Sequence, residues 1–132
     1  MFLVIIEAIF IGLYSLFIGL FIDIIDLQIP IYIKLFIIGY IKHIIGYYLN
    51  LHTYFCNNGY ACINTNKTHK IAINDYLLID SFYDSILFVI FGLLLISIIK
   101  YKYIYYFLIG FIAHISSEYF LFHKYFCNNR CI

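Results

Sequence analysis

Long apolar runs alternate with short polar connections along the whole chain. Four runs, at 2–23, 31–52, 76–99 and 103–125, have about the 20 residues that a helix needs to cross the core of a bilayer. The runs are continuous and lack the polar and apolar alternation of outer-membrane barrel strands. The pattern therefore predicts an all-α integral membrane protein with four transmembrane helices.

Part of the chain is repeated. Residues 36–58 align without a gap with residues 107–129 at a constant offset of 71, and 13 of the 23 paired positions are identical. A weaker match at an offset of 73 pairs Glu7 with Asp80. Apolar bias cannot explain the paired His, Cys and Asn residues, so the match indicates an internal repeat.

The repeat predicts how the chain is organised. We expect one transmembrane domain over 1–132, built from two tandem helical hairpins: repeat 1 at about 1–62 and repeat 2 at about 76–132, with a linker at about 63–75. Two hairpins of equal orientation would be related by pseudo-twofold symmetry about the membrane normal. The N-terminus, the linker and the C-terminus would then share one face.

Composition agrees with the membrane class. The chain is 65% hydrophobic and only 11% charged, values that exclude an ordinary soluble domain with a polar surface. No basic patch, phosphate-binding loop or nucleophile constellation is present in the sequence. The sequence therefore supports neither nucleic-acid binding nor hydrolysis.

The four cysteines occur as one close pair after each even-numbered predicted helix: Cys56 with Cys62, and Cys127 with Cys131. In an oxidising compartment this pattern predicts two local disulfides, each capping a helix end on the shared face. Asn66 begins a glycosylation sequon in the linker, which would fit a lumenal or external location of that face.

A metal site is the alternative for the same region. His52 and Cys56 lie one helical turn apart, and so do His123 and Cys127. If the pseudo-twofold axis joins the two pairs, they form a two-His, two-Cys set suited to tetrahedral zinc. The disulfide interpretation requires no cofactor.

Several ionisable residues fall within the apolar runs, where an unpaired charge costs a few kcal/mol or more. They are Glu7, Lys42, His43, Asp80, Asp84, His114 and Glu118. Similar depth suggests carboxylate–imidazole partners, Glu7 with His52 and Asp80 with His123. A path for protons or ions along such residues is an alternative function.

His43 and His114 are equivalent in the two repeats. We expect each buried imidazole to hydrogen-bond an acidic side chain of a neighbouring helix, in preference to a bis-imidazole haem between the helices. Nine residues separate His43 from His52, about half a turn out of phase. The two histidines of one helix are therefore predicted to face different sites.

Three segments of the chain, EAIFIGLYS, GYIKHIIGYYLNLHTYFCNNGYAC and HISSEYFLFHKYFCNNRC, resemble small, uncharacterised four-span membrane proteins of giant DNA viruses. The resemblance covers most of the chain. It implies a viral protein placed in a host endomembrane or in the internal membrane of the virion. Such viruses oxidise cysteines with their own cytosolic thiol oxidases, so disulfides would not require a lumenal face.

Two functions remain open from the sequence. The first is a multi-pass membrane protein with a structural or interaction role, whose partners are the lipid bilayer and a membrane protein or a second copy of the chain. The second is a metal-binding or His- and carboxylate-lined small transporter, channel or redox carrier. The first is favoured because the strongest repeated chemistry lies at the helix ends.

Overall fold

The computed structural model of the protein describes residues 1–25, 28–64 and 70–132. Within these ranges the regular secondary structure is helical and there is no strand, which confirms the all-α part of the prediction. The helices are α1 (Phe2–Ile24), α2 (Ile31–Tyr48), α3 (Leu51–Asn58), α4 (Leu77–Leu95), α5 (Lys102–Tyr119) and α6 (Phe122–Arg130).

Two of the described helices, α1 and α4, are long and apolar enough to cross a membrane. The bent pair formed by α5 and α6 provides a third candidate if it counts as one broken span. The fourth long helix, α2, is only 18 residues long and carries Lys34, Lys42 and His43, which lower its hydropathy. It is not among the candidate spans.

The four long helices pack as two main pairs, α1 against α5 and α2 against α4. Small residues allow both close approaches. A Cβ added to Gly110 would strike Ser15 of α1, and a Cβ added to Gly39 would lie 2.8 Å from the Cα of Ser85 in α4. The helices that are consecutive in a predicted hairpin, α1 and α2, share a smaller contact.

Two separate apolar clusters stabilise this arrangement. The larger one lies between the four long helices and includes Ile18, Leu35, Phe88 and Ile109, all at most 3% exposed. The smaller one contains the four cysteines and Ala72 at the other end of the bundle. We call the second region, formed by α3 with the following residues 59–64, α6 with the following residues 131–132, and the segment 70–73, the cap.

Candidate functional site

Two breaks in the helices build the cap. The prediction of one unbroken helix over each of the runs 31–52 and 103–125 is wrong, because α2 ends at Tyr48 and α5 ends at Tyr119. Asn50 and Leu121 adopt left-handed backbone conformations, with φ of 59° and 63°. They lie 71 residues apart, the same spacing as the repeat in the sequence.

A left-handed residue ends the regular helix and redirects the next segment. The axes of α5 and α6 are bent by 75° at this point. Asn tolerates this conformation better than most residues, whereas a leucine at positive φ is uncommon. The sequence thus carried a signal at Asn50 and none at Leu121.

Disulfides join α3 and α6 across the cap. Cys56 bonds to Cys131 and Cys62 bonds to Cys127, with Cα–Cα distances of 5.7 and 5.3 Å. The predicted local pairing is therefore wrong, although all four cysteines do form disulfides. The physical reason is that the breaks place α3 beside α6, so each cysteine meets a partner from the other half of the chain.

The linker is tied into the same cap. Asn57 donates from its side-chain amide to the carbonyl oxygen of Lys70 at 2.8 Å and accepts from the Lys70 backbone N–H at 2.9 Å. Lys70 is 4% exposed, and its ammonium donates to the carbonyl of Cys62 at 2.8 Å. Antiparallel bonding between Ile71 and Ile132 then anchors the C-terminus.

A cleft of about 980 Å³ lies between the apolar core of the bundle and the cap. All four long helices contribute to its wall, and α3 and α6 cover one end. Its polar lining residues are Tyr14, Lys42, His43, His52, Tyr76, Asp80, Tyr83, Asp84, His114, Ser117, His123, Tyr125, Asn129 and Arg130. Four of the five histidines of the chain thus line one space.

The floor of the cleft holds an ion pair between α2 and α4. Lys42 Nζ lies 2.8 Å from Asp84 Oδ2, and His43 Nδ1 lies 3.7 Å from the same oxygen. Tyr14 donates its hydroxyl to the carbonyl oxygen of Lys42 at 2.8 Å. The Lys42 ammonium also lies 4.7 Å from the centre of the Phe88 ring. The charge of Lys42 is therefore paired, and its side chain is held against the core.

A second polar chain crosses from α1 to α5 and α6. His114 Nε2 is 3.2 Å from Glu7 Oε2, and His123 Nδ1 is 2.8 Å from Glu118 Oε2. The rings of His114 and His123 are 4.4 Å apart, which makes a continuous carboxylate–imidazole–imidazole–carboxylate series. The other oxygen of Glu7 accepts the backbone N–H of Tyr60 at 2.7 Å, so the series is attached to the cap.

The predicted carboxylate partners differ from those observed. Glu7 pairs with His114 and not with His52, because His114 faces α1 along the main α1–α5 contact. Asp80 pairs with Arg130 and not with His123; Arg130 Nε lies 2.8 Å from Asp80 Oδ2. His114 does hydrogen-bond an acidic residue of a neighbouring helix, as expected, whereas His43 Nδ1 lies 3.7 Å from Asp84 Oδ2, too far for a hydrogen bond.

The predicted separation of the two histidines in each repeat is also wrong. The rings of His43 and His52 are 4.5 Å apart, like those of His114 and His123. The phase argument assumed one unbroken helix, whereas the break at Asn50 turns His52 back toward His43. Phe55 covers the second histidine pair, with its ring centre 5.1 Å from that of His123.

His52 belongs to α3, outside the candidate spans. Burial lowers the pKa of His52 to about 3, and electrostatic interactions with His43 and Lys42 add to the effect. The imidazole is therefore neutral at physiological pH. It contributes polar nitrogen atoms to the cleft without adding charge.

The zinc alternative is not assembled in this arrangement. Cys56 and Cys127 are both in disulfides and are not available as thiolates to join His52 and His123. In the ranges that the structure describes, no group of three or more His, Cys, Asp and Glu residues is placed to hold a metal ion. The sequon at Asn66 lies outside the described residues.

Sequence reasoning missed two partners in this site. Lys42 is one of the ionisable residues of the apolar runs, but the sequence assigned it no partner, and Arg130 has no basic counterpart at the aligned position, which is Gly59. Asp80 and Asp84 in the apolar run at 76–99 were a usable signal that a cation must face each of them.

Comparison with protein-family models, curated proteins and solved structures finds no match for the chain.

Proposed function

We propose that the chain is a four-span integral membrane protein with a structural or interaction role, built from two tandem hairpins whose cysteine face is closed by the cap. The observation that carries this proposal is the pair of disulfides that join the two halves of the chain. Each connects the first cysteine of one half to the second cysteine of the other. This crosswise connectivity favours two halves related by a pseudo-twofold axis.

Helix dimensions support four spans. The shortest long helices, α2 and α5, have 18 residues, which at 1.5 Å per residue give about 27 Å of a hydrocarbon core of roughly 30 Å. The outward faces of α1 and α4 expose large apolar side chains, among them Phe17 at 68% and Leu94 at 63%. Lipid contact would bury these faces.

The cap supports a structural role. The four cysteines are at most 3% exposed, so they are shielded from reagents and serve to hold α3 against α6. The linker at 63–75 leaves from this rigid base and is the element that we propose the protein presents to a membrane-protein partner or to a second copy. A host endomembrane or the internal membrane of a virion is the proposed location.

Topology mapping tests the four-span arrangement. Epitope tags are placed before Met1, within 65–69, after Ile132 and at 100, and are probed by protease protection in sealed vesicles. We expect the first three tags on one side and the fourth on the other. A C-terminal tag on the opposite side from the N-terminal tag would establish an odd number of spans and refute the proposal.

A small transporter or channel is the second candidate, favoured by the cleft that reaches Lys42, His43 and Asp84. Replacement of His43 and His114 by Phe separates the two functions. A structural role predicts loss of thermal stability, because Glu7 and Asp84 lose their imidazole partners. A conducting site predicts unchanged stability with loss of proton or ion flux in liposomes.

A further inference from the structure

We infer that the cleft binds the head group of a zwitterionic phospholipid that enters sideways between α4 and the α5–α6 break. The inference rests on the proposed membrane-spanning function, because only a bundle within a bilayer presents this cleft to lipid. Its basis is the contrast between the mouth of the cleft and its floor.

The mouth is apolar and open. The lining side chains Ile79 and Tyr83 of α4 face outward with exposed fractions of 54% and 63%. Phe120, Leu121 and Phe122, around the break between α5 and α6, also line the cleft and are between 53% and 62% exposed. Such side chains suit the glycerol and upper acyl region of a lipid.

The cap closes the neighbouring end of the same opening. Arg130 of α6 lies 2.8 and 3.1 Å from the two carboxylate oxygens of Asp80 in α4, and its guanidinium stacks 4.2 Å from the centre of the Tyr76 ring. The Arg130–Asp80 ion pair joins α4 to α6 on the cap side. A molecule would therefore enter from the bilayer side.

The floor offers one cation and one anion. The Lys42 ammonium suits a phosphate, and the Asp84 carboxylate suits a primary ammonium, both through charge-assisted hydrogen bonds. His43 has a buried Nε2 without a hydrogen-bond partner among the described residues, and His52 lies beside it. The neutral His52 imidazole can bond a further head-group oxygen without altering the net charge.

The net charge of the residues that line the cleft favours a zwitterionic head group over an anionic one. The Lys42–Asp84 and Arg130–Asp80 pairs leave the charged lining close to neutral. A zwitterionic head group replaces the first pair with two new pairs and keeps that balance. An anionic head group would leave Asp84 facing a negative charge in a medium of low dielectric constant, which is unfavourable.

Native mass spectrometry of the full-length protein in detergent tests the inference. The probes are phosphatidylethanolamine, phosphatidylglycerol and diacylglycerol with the same acyl chains, each titrated separately. We expect phosphatidylethanolamine to bind about tenfold more tightly than either of the others, the effect of one charge-assisted hydrogen bond. Equal binding of the three lipids, or tighter binding of phosphatidylglycerol, overturns the inference.

Two double variants provide the matched comparison. Lys42→Met with Asp84→Asn removes the ion pair of the cleft, and Lys34→Met with Asp23→Asn removes a similar pair, 3.0 Å apart, outside the cleft. The first should lose the tenfold preference, and the second should keep it. A preference that survives in the cleft variant refutes the assignment of the site.

A wild-type measurement covers the case in which the cleft variant does not fold. Phosphatidylethanolamine with a photoreactive group on its amine is cross-linked to the protein in liposomes, and the labelled peptides are identified. Labels on the cleft residues 79–87 support the inference, and labels only near 100–103 contradict it. Topology mapping is independent of lipid choice, so failure of this site leaves the four-span proposal separately testable.

Discussion

Covalent linkage between the halves of the chain can be tested by cutting the linker. A recognition sequence for a site-specific protease is placed within 65–69, and the folded protein is cleaved without reductant. Because Cys56 bonds to Cys131 and Cys62 to Cys127, the two fragments should stay together on a denaturing gel and separate only after reduction. Local disulfides would release them at once.

The same connectivity sets the stabilisation. The two bonds span separations of 75 and 65 residues along the chain. In the chain-entropy treatment, closing a loop of that size contributes about 4 kcal/mol, against about 2 kcal/mol for a loop of around five residues formed by local pairing. The second long-range bond adds less than the first, because the first has already joined the halves.

Cysteine variants complete the assay. With Cys62→Ser and Cys127→Ser together, the bond between Cys56 and Cys131 remains, so the cleaved fragments should still be linked. With Cys56→Ser and Cys62→Ser together, both bonds are lost, and the fragments should separate without reductant. Separation of the first variant would refute the observed pairing, since either alternative pairing leaves that variant without a native bond.

Three further outcomes follow from the packing and the charges. Gly39→Ala should lower the free energy of unfolding by about 1–3 kcal/mol, because its Cβ would meet the backbone of α4 at 2.8 Å. Gly46→Ala, whose nearest contact is 3.4 Å, should be neutral or stabilising. Thermal unfolding in detergent compares the two variants, and equal stabilities would contradict the packing. Burial lowers the pKa of His52 to about 3, so below pH 6.5 the unfolded chain binds a proton that the folded chain does not. The free energy of unfolding should therefore fall as the pH drops from 6.5 toward 3, by at most about 1.4 kcal/mol per pH unit. His52→Phe should reduce that slope. Arg130→Met should destabilise the cap by about 1–3 kcal/mol, because it leaves the Asp80 carboxylate without its partner. Adding Asp80→Leu should recover part of the lost stability. No recovery would show that Arg130 acts through packing alone.

The helical class could be predicted because continuous apolar runs allow few other structures in a membrane. The start of α2 at Ile31, directly after Pro30, also follows from local chemistry, since proline suits the first turn of a helix. The end of α5 could not be predicted in this way. Leu121 has no intrinsic preference for left-handed backbone, so the surrounding cap must hold it there.

The partners of the ionisable residues could not be predicted from local sequence either. The apolar surroundings of Glu7 and Asp84 required each acid to be paired, and the sequence indicated this need. Which cation or imidazole satisfies it depends on which helices touch. Since α1 packs mainly on α5 and α2 on α4, Glu7 meets His114 and Asp84 meets Lys42.

By itself the sequence determined the helical class, the presence of ionisable residues within apolar runs and the clustering of cysteines near helix ends, because each depends on composition or on short-range spacing. Only the tertiary structure decided that the disulfides exchange between the halves and that four histidines line one cleft. Both depend on the breaks at Asn50 and Leu121, which change the direction of the chain. Contacts between residues far apart in the sequence arise from that change of direction, which local spacing does not encode.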